Sequence, residues 1–284
     1  MHAFDYHEPT TIRDACAILR DRGPDARPLA GGTDLLVQME SGKLQPRTIV
    51  FLGRTEGLRG IDWDERTGLR IGAGATLREI ETHPIIRQRY PALATSAEVV
   101  GSVQIRNLAT LAGNLCNASP SADTSPALLA LDAEIEIATP DETMRVPVAE
   151  FWRGPGRTIL QPGQIVTAIH LPPPPAGQRT WYYKLAVRKA MDLAMVGVCV
   201  ALVPRNGGAE RVRIALGAVA PVCMRPHAAE RLAEAGELTA ERLQAVAEQA
   251  AAETAPISDH RASAEYRRAM VAVLVRRAFE QLRG

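Results

Sequence analysis

Nowhere in the sequence do eighteen apolar residues follow one another, so no segment has the length to cross a bilayer as a helix. Excess charge is also missing. The 33 Lys and Arg residues nearly balance 32 Asp and Glu, a formal net charge of +1, and no global electrostatic footprint for nucleic acid remains. Cysteine is sparse: Cys16, Cys116, Cys199 and Cys223 stand too far apart for a zinc or iron–sulfur run. The six histidines form no H-x-x-x-H or H-E-x-x-H pair, so the chain is expected to hold no metal cluster of its own. Its cysteines are expected to be small buried apolar residues. The opening residues, MHAFDYHEPTTIRDA, lack a basic stretch followed by an apolar one. A secretory signal is therefore not expected, and a cytoplasmic location is, with any membrane association coming through a partner.

Within 284 residues, 46% hydrophobic and 23% charged, there is material for one large folded domain or two ordinary ones. TTIRDACAILRDRG (10–23) reads as a helix opened near Thr11 and Asp14 and closed by Gly23. RPLA is a short strand that feeds GGTDLLVQMESG, a glycine turn opening a helix, and TIVFL (48–52) is a buried strand. A hairpin turning at Asp64–Gly68 follows, then short helices broken at Pro84 and Pro91. AEIEIATPDETMRVPV is a second hairpin, with its turn at Pro140–Glu142, and QIVTAIHLP is a strand that stops at PPPPAG (172–177). Four prolines cannot continue a strand ladder and make a stiff extended spacer. That run divides the chain into residues 1–175 and residues 176–284. Beyond it come three strands, WYYKLAVR, MVGVCVALVP and RVRIALGAVA, and helices near 226–235, 239–254 and 262–282. Alternation is weak in the second strand, which implies cover on both faces. The fold class is α+β, ending in a small antiparallel sheet with a helical end.

Three loops could carry chemistry. LAGGTDLL (29–36) turns backbone N–H groups toward one point at a helix start, as an anion site would, or is only a tight strand-to-helix turn. IGAGATLREI (71–80) imitates the start of a dinucleotide fingerprint, but Leu77 takes the third glycine's place. It reads better as a small-residue turn capped by Thr76. The third is TLAGNLCNASPSADTSPALLALDAEI (110–135), where Gly113-Asn114 reads as a tight turn. Asn117, Ser119, Ser121 and Asp123 could bond a ribityl chain, a ribose or phosphate oxygens, and Pro120 and Pro126 would stiffen the loop. The same residues also suit a well-bonded loop capping a helix that begins near Thr124, and both readings stand.

The first and third of these loops, about eighty residues apart, resemble the FAD-binding medium subunit of the molybdenum hydroxylases. That group includes carbon monoxide dehydrogenase and the flavin domain of xanthine dehydrogenase. The likeness runs from FDYHEPTTIRDACAIL through ARPLAGGTDLL, QIRNLATLAGNLCNASPSADTSPALLALDAEI and YKLAVRKAMD to SAEYRRAMVAVLVRRA. It implies a two-subdomain flavin module of the vanillyl-alcohol oxidase type, with subdomains of about 1–55 and 56–175, then a C-terminal domain of the carbon monoxide dehydrogenase flavoprotein type. Ala30, Gly31, Gly32, Thr33 and Asp34 would line the pyrophosphate, flanked by Leu29 and Leu35. Thr110, Leu111, Ala112, Gly113 and Asn114 match the second flavin loop, and Asp123 the acidic residue that fixes hydroxyls. Val100 and Val166 match apolar flavin contacts, Lys184 a basic residue at the cofactor, and Leu193 a side chain close to the ring. Where relatives carry an aromatic at that last position, a leucine cannot stack in the same way. Ala112 replaces a second glycine found in many relatives. The pyrophosphate turn has no histidine or cysteine for a covalent link, and the resemblance implies that FAD is held noncovalently.

The resemblance further implies a large molybdenum subunit that oxidises the substrate and a small subunit with 2Fe–2S clusters, assembled as a dimer of heterotrimers. The chain would then be an electron-transfer subunit with no catalytic acid or base of its own, passing electrons to NAD, a quinone or a protein. Two alternatives are a free-standing FAD-dependent oxidase or dehydrogenase, and a scaffold subunit that has lost its flavin.

Overall fold

In the computed structural model, which describes residues 3–205 and 208–283, short capped elements build three larger sheets, one two-stranded hairpin and their helices. The first sheet is parallel. Its central strand, β3 (Thr48–Phe51), pairs with β1 (Asp5–His7) on one side and β2 (Ala26–Leu29) on the other. Helix α1 (Ile12–Arg22) starts where the Thr11 hydroxyl accepts from the Asp14 N–H (3.1 Å), and ends at Gly23, whose φ is +55°. Its buried face, Ala15, Cys16 and Leu19, meets Ala26 and Val50 from the sheet, together with Ala138 and Ile165 from the next unit. A short α2 (Leu35–Glu40) follows β2.

The second sheet is antiparallel. It contains the hairpin β4 (Ile61–Asp64) and β5 (Gly68–Gly72), and the hairpin β6 (Glu134–Ala138) and β7 (Thr143–Pro147). Six helices lie between the two hairpins. They are α3 (Leu77–Thr82), α4 (Pro84–Arg89), α5 (Pro91–Glu98), α6 (Val103–Arg106), α7 (Leu111–Cys116) and α8 (Thr124–Ala130). Pro84 and Pro91 each take the first position of a helix, where the missing N–H costs nothing. A small hairpin, β8 (Trp152–Gly154) with β9 (Arg157–Thr158), precedes β10 (Ile165–Leu171), which inserts between β5 and β6. Leu69, Ile71, Ile135, Ile137 and Ile169 form the core with Leu77, Ile80, Leu93, Leu111 and Leu128 of the helices.

The third sheet is antiparallel in the order β11 (Arg179–Leu185), β12 (Val196–Arg205), β13 (Gly208–Gly217). Val196, Val198, Val200 and Leu202 of β12 face α9 (His227–Glu234), α10 (Ala240–Ala252) and α11 (Ala264–Arg283). Cys199 and Ala201 of the same strand face the core of the second unit. Cover on both faces explains the absence of alternation in its sequence. Buried Arg267 of α11 braces this end, donating to the carbonyls of Met195 (2.6 Å) and Ala218 (3.3 Å) and to Asp259 (2.8 Å). Across the proline run, Asp132 takes ion pairs from Arg211, Arg213 and Arg225 of the C-terminal half.

Candidate cofactor-binding site

The parallel sheet and the helical layer of the second unit leave a cleft of about 1130 Å³ between them, walled at one end by the loop after β11. After β2 the chain turns through Gly31 and Gly32. Gly32 has a φ of +72°, and a Cβ on Gly31 would overlap the carbonyl oxygen of Leu108. Two backbones therefore lie in direct contact here: the first glycine loop rests on the segment that leads into the second. Leu36 donates back to Gly32 (3.0 Å), while no described residue accepts from the N–H groups of Thr33, Asp34 or Leu35. These N–H groups lie on a loop that lines the cleft, and together they suit an anionic oxygen. The Asp34 carboxyl makes no cap, and desolvation in the cleft raises its pKa.

The second loop is a helix where the sequence suggested a tight turn. Gly113 and Asn114 lie inside α7, and the Asn114 N–H bonds to the Thr110 carbonyl (3.0 Å). The reason is the cap: the Thr110 hydroxyl accepts from the Gly113 N–H (3.0 Å), so a glycine that usually signals a turn is held in the first helical turn. The same threonine bridges to Thr76, itself the head of a capping box with Glu79. The small-residue turn before Thr76 is therefore as expected, yet Ala73, Gly74 and Thr76 also line the cleft. From α8, the Thr124 hydroxyl donates to Asn114 Oδ1 (2.7 Å) and braces α7 from behind.

Asp123 is the buried charge of the cleft, 7% exposed. Lys184 Nζ donates to its Oδ2 (2.7 Å), and the Tyr182 hydroxyl donates to its Oδ1 (3.2 Å). Burial pushes the carboxyl up to about 6, against the opposing pull of Lys184 and Tyr182. Asp123 also drives the already buried Tyr182 hydroxyl further above its ordinary range. Lys184 does not line the cleft. It sits behind Asp123 and donates at the same time to the Val99 carbonyl (3.1 Å), so its action on a ligand passes through the carboxylate and the 99–101 turn. Leu111 is fully buried beneath α7 and is likewise absent from the lining.

All the other anticipated residues meet in this cleft: Leu29 to Leu35, Val100, Thr110, Ala112, Gly113, Asn114, Asp123, Val166 and Leu193, with Asn117, Ser119 and Ser121 beside them. Leu193 is half exposed, on a loop tied at both ends. Asp192 accepts from the N–H groups of Val187 (3.1 Å) and Arg188 (2.9 Å), and Met191 donates to the Gly101 carbonyl (3.2 Å). Cys116 is half-buried at the cleft wall, and burial pushes its thiol up to about 12, which suits a packing role. Sequence reasoning missed Ile105, Leu108, Arg59 and Arg261. Arg261 reaches the cleft from the segment before α11, with Nη1 bonded to Asp259 (3.0 Å).

This lining has the chemistry of a dinucleotide flavin: unclaimed backbone donors for a pyrophosphate, a buried carboxylate for hydroxyls, and apolar side chains for a flat ring. Comparison with known proteins agrees. Residues 2–174 match the family described as the FAD binding domain in molybdopterin dehydrogenase, and residues 181–282 match the CO dehydrogenase flavoprotein C-terminal domain. The chain belongs to this family of flavin-binding oxidoreductase subunits, and its cofactor is FAD. A putative xanthine dehydrogenase FAD-binding subunit of Escherichia coli strain K12 is 36% identical over 279 residues, 97% of this chain and 94% of that one. The carbon monoxide dehydrogenase medium chain of Hydrogenophaga pseudoflava is 32% identical over 275 residues, 97% and 95% of the two chains. Among solved structures, carbon monoxide dehydrogenase from the same organism, lacking the Mo-pyranopterin moiety, superposes with a TM-score of 0.94. Its identity is 33%, and the match covers 98% of this chain and 96% of that one.

Proposed function

We propose that this chain is the flavoprotein subunit of a molybdenum hydroxylase complex. It would pass electrons from the 2Fe–2S clusters of a small subunit to an external acceptor, while a large molybdenum subunit oxidises the substrate. The observation that carries this reading is the near full-length correspondence with medium chains, joined to a cleft in which both glycine loops and Asp123 converge. The first two units would be the two halves of a vanillyl-alcohol oxidase-type flavin module, and the proline run the junction to the C-terminal domain. When bound, FAD supplies one-electron acceptance coupled to two-electron delivery. The chain's own residues bind and orient it. The N–H groups of Thr33, Asp34 and Leu35 would face the pyrophosphate, Asp123 would accept from the ribityl or ribose hydroxyls, and Val100, Val166 and Leu193 would keep water from the ring. No side chain of this subunit is asked to act as acid or base. The complex would be a cytoplasmic dimer of heterotrimers, and no helix among the described residues is long and apolar enough to cross a membrane.

Co-expression with candidate large and small subunits, followed by purification through a tag on this chain, tests the proposal. The expected product is a yellow complex that contains molybdenum, iron and releasable FAD. Substrate turnover by this chain alone would overturn the subunit reading in favour of a free-standing oxidase. A chain that stays colourless after incubation with FAD would overturn the flavoprotein reading itself.

A further inference from the structure

The turn at residues 99–101 carries Val100 into the cleft, and three successive carbonyls of that turn are each held by a different donor. Lys184 Nζ holds Val99 (3.1 Å), Arg106 Nη1 holds Val100 (3.0 Å), and the Met191 N–H holds Gly101 (3.2 Å). The middle donor is unlike the other two. Arg106 ends the short helix α6, only 6% exposed, and its Nε donates to Glu81 Oε2 of α3 at 2.8 Å. Glu81 is 9% exposed and is also reached by Arg78 Nη1 (2.7 Å). Burial alone would raise the Glu81 carboxyl, but Arg106 and Arg78 together hold it below its usual value. A buried ion pair is weak support for stability in itself, because desolvation offsets most of the Coulomb attraction. Here the pair does something an apolar pair could not. It converts a planar fork into a bracket, one arm on α3 and the other on the backbone carbonyl of Val100, a residue that lines the cleft.

We infer that Glu81 and Arg106 form a positioning pair for the flavin ring, fixing the 99–101 turn against which the ring lies. The geometry requires an arginine. Its donors are spread over a rigid fork, Nε on Glu81 and Nη1 on the Val100 carbonyl. A lysine ammonium gathers its donors on one atom and holds a carboxylate and a carbonyl together, as Lys184 does, only where the two converge on a single point. Arg78 supplies an internal control, since it pairs with the same carboxylate from an exposed position and makes no bond to the turn.

The inference rests on the cleft taking FAD, and FAD reconstitution of the wild-type chain tests that premise separately. The decisive experiment compares wild type, Arg106→Lys, Glu81→Gln and Arg78→Ala, each reconstituted with FAD. Affinity for FAD, the visible circular dichroism of the bound flavin and its midpoint potential are measured alongside the melting temperature. Arg106→Lys and Glu81→Gln are expected to weaken FAD on the order of tenfold, the scale of one charge-assisted hydrogen bond. They should also change the flavin dichroism and displace the potential, whereas Arg78→Ala keeps wild-type values. A purely structural pair would lower the melting temperature and leave the dichroism and potential of the flavin that does bind untouched, and that result would overturn the inference. So would failure of both variants to fold, which would make the pair a determinant of the fold alone.

Discussion

On the proposed reading, replacing Asp123 by asparagine should perturb FAD binding through hydrogen bonds that can be counted. In the native chain Oδ2 takes the Lys184 ammonium at 2.7 Å and Oδ1 the Tyr182 hydroxyl at 3.2 Å, which leaves one further acceptor position on each oxygen. Asparagine keeps a single oxygen, which the buried Lys184 will claim. Its amide NH2 can only donate, so at least one cofactor hydroxyl loses its acceptor. Hydrogen bonds to charged groups are worth about 1.5–3 kcal/mol, so Asp123→Asn should raise the FAD dissociation constant about 10- to 150-fold. Titration of apo protein with FAD, followed by flavin fluorescence anisotropy, measures this directly. The pH dependence gives an independent reading. Hydroxyl donors favour the ionised carboxylate, so binding should release a proton from a group that titrates near 6 in the free chain. Wild-type affinity should therefore fall as pH drops through 6, by up to about tenfold per unit, and the asparagine variant should lack this component. The apo fold has the opposite sign. Its raised carboxyl binds a proton before the unfolded chain does, so this group favours the folded apo protein as pH falls from 6 toward 4. Equal affinity in wild type and variant, with the same profile between pH 7.5 and 5, would refute the assignment of Asp123 to the cofactor.

Three further outcomes follow from named contacts. Gly31→Ala drives a Cβ into the Leu108 carbonyl and must shift backbone on one side, so FAD affinity should drop about 5- to 150-fold, for an overpacking cost of about 1–3 kcal/mol; wild-type affinity by the same titration would contradict the close approach. The Asp259 carboxyl is held well below its usual range by the Arg261 N–H and by Arg267, so its stabilisation is full above about pH 4 and is lost as pH falls toward the folded value. The difference in melting temperature between wild type and Asp259→Asn should accordingly shrink from pH 7 to 3, and a constant difference counts against it. Thr124→Val keeps the shape of a fully buried side chain but removes the brace on Asn114, at a cost of about 1 kcal/mol. In a chain of this size that should lower the melting point about 2–4 °C by calorimetry, and no change would show that the brace is idle.

Much of the fold is legible because its signals are local. Thr11, Thr76 and Thr110 each accept an N–H three residues on, and the hairpins turn where Gly68 and Pro140–Glu142 place them. Gly31 and Gly32 stand out for the same reason: a backbone contact and a positive φ demand glycine in the sequence itself. Gly113 misleads because glycine followed by asparagine imitates a turn, and only the three-dimensional cap on Thr110 shows why it stays helical. Lys184 is expected beside the cofactor and lies behind Asp123, a distinction of one hydrogen bond that spacing cannot express. Arg261 leaves no local mark at all. Its presence in the cleft depends on Asp259, which depends on Arg267, which in turn holds carbonyls of two distant loops. Such a chain of contacts exists only after the C-terminal helices have docked.

The two matched segments part between residues 174 and 181, but the hydrophobic interior does not part there. Cys199 and Ala201 complete one interior while their neighbours Val198, Val200 and Leu202 complete the other, so strand β12 behaves like a shared wall between two rooms. Removing everything beyond the prolines would strip that wall from the first room and uncover the faces of α5 and α8 that pack against the third sheet. Heat or denaturant should therefore take the whole chain apart in one step. The cleft shares in that unit, because Tyr182 and Lys184 on the third sheet hold Asp123 and Arg267 of the last helix holds Arg261 through Asp259.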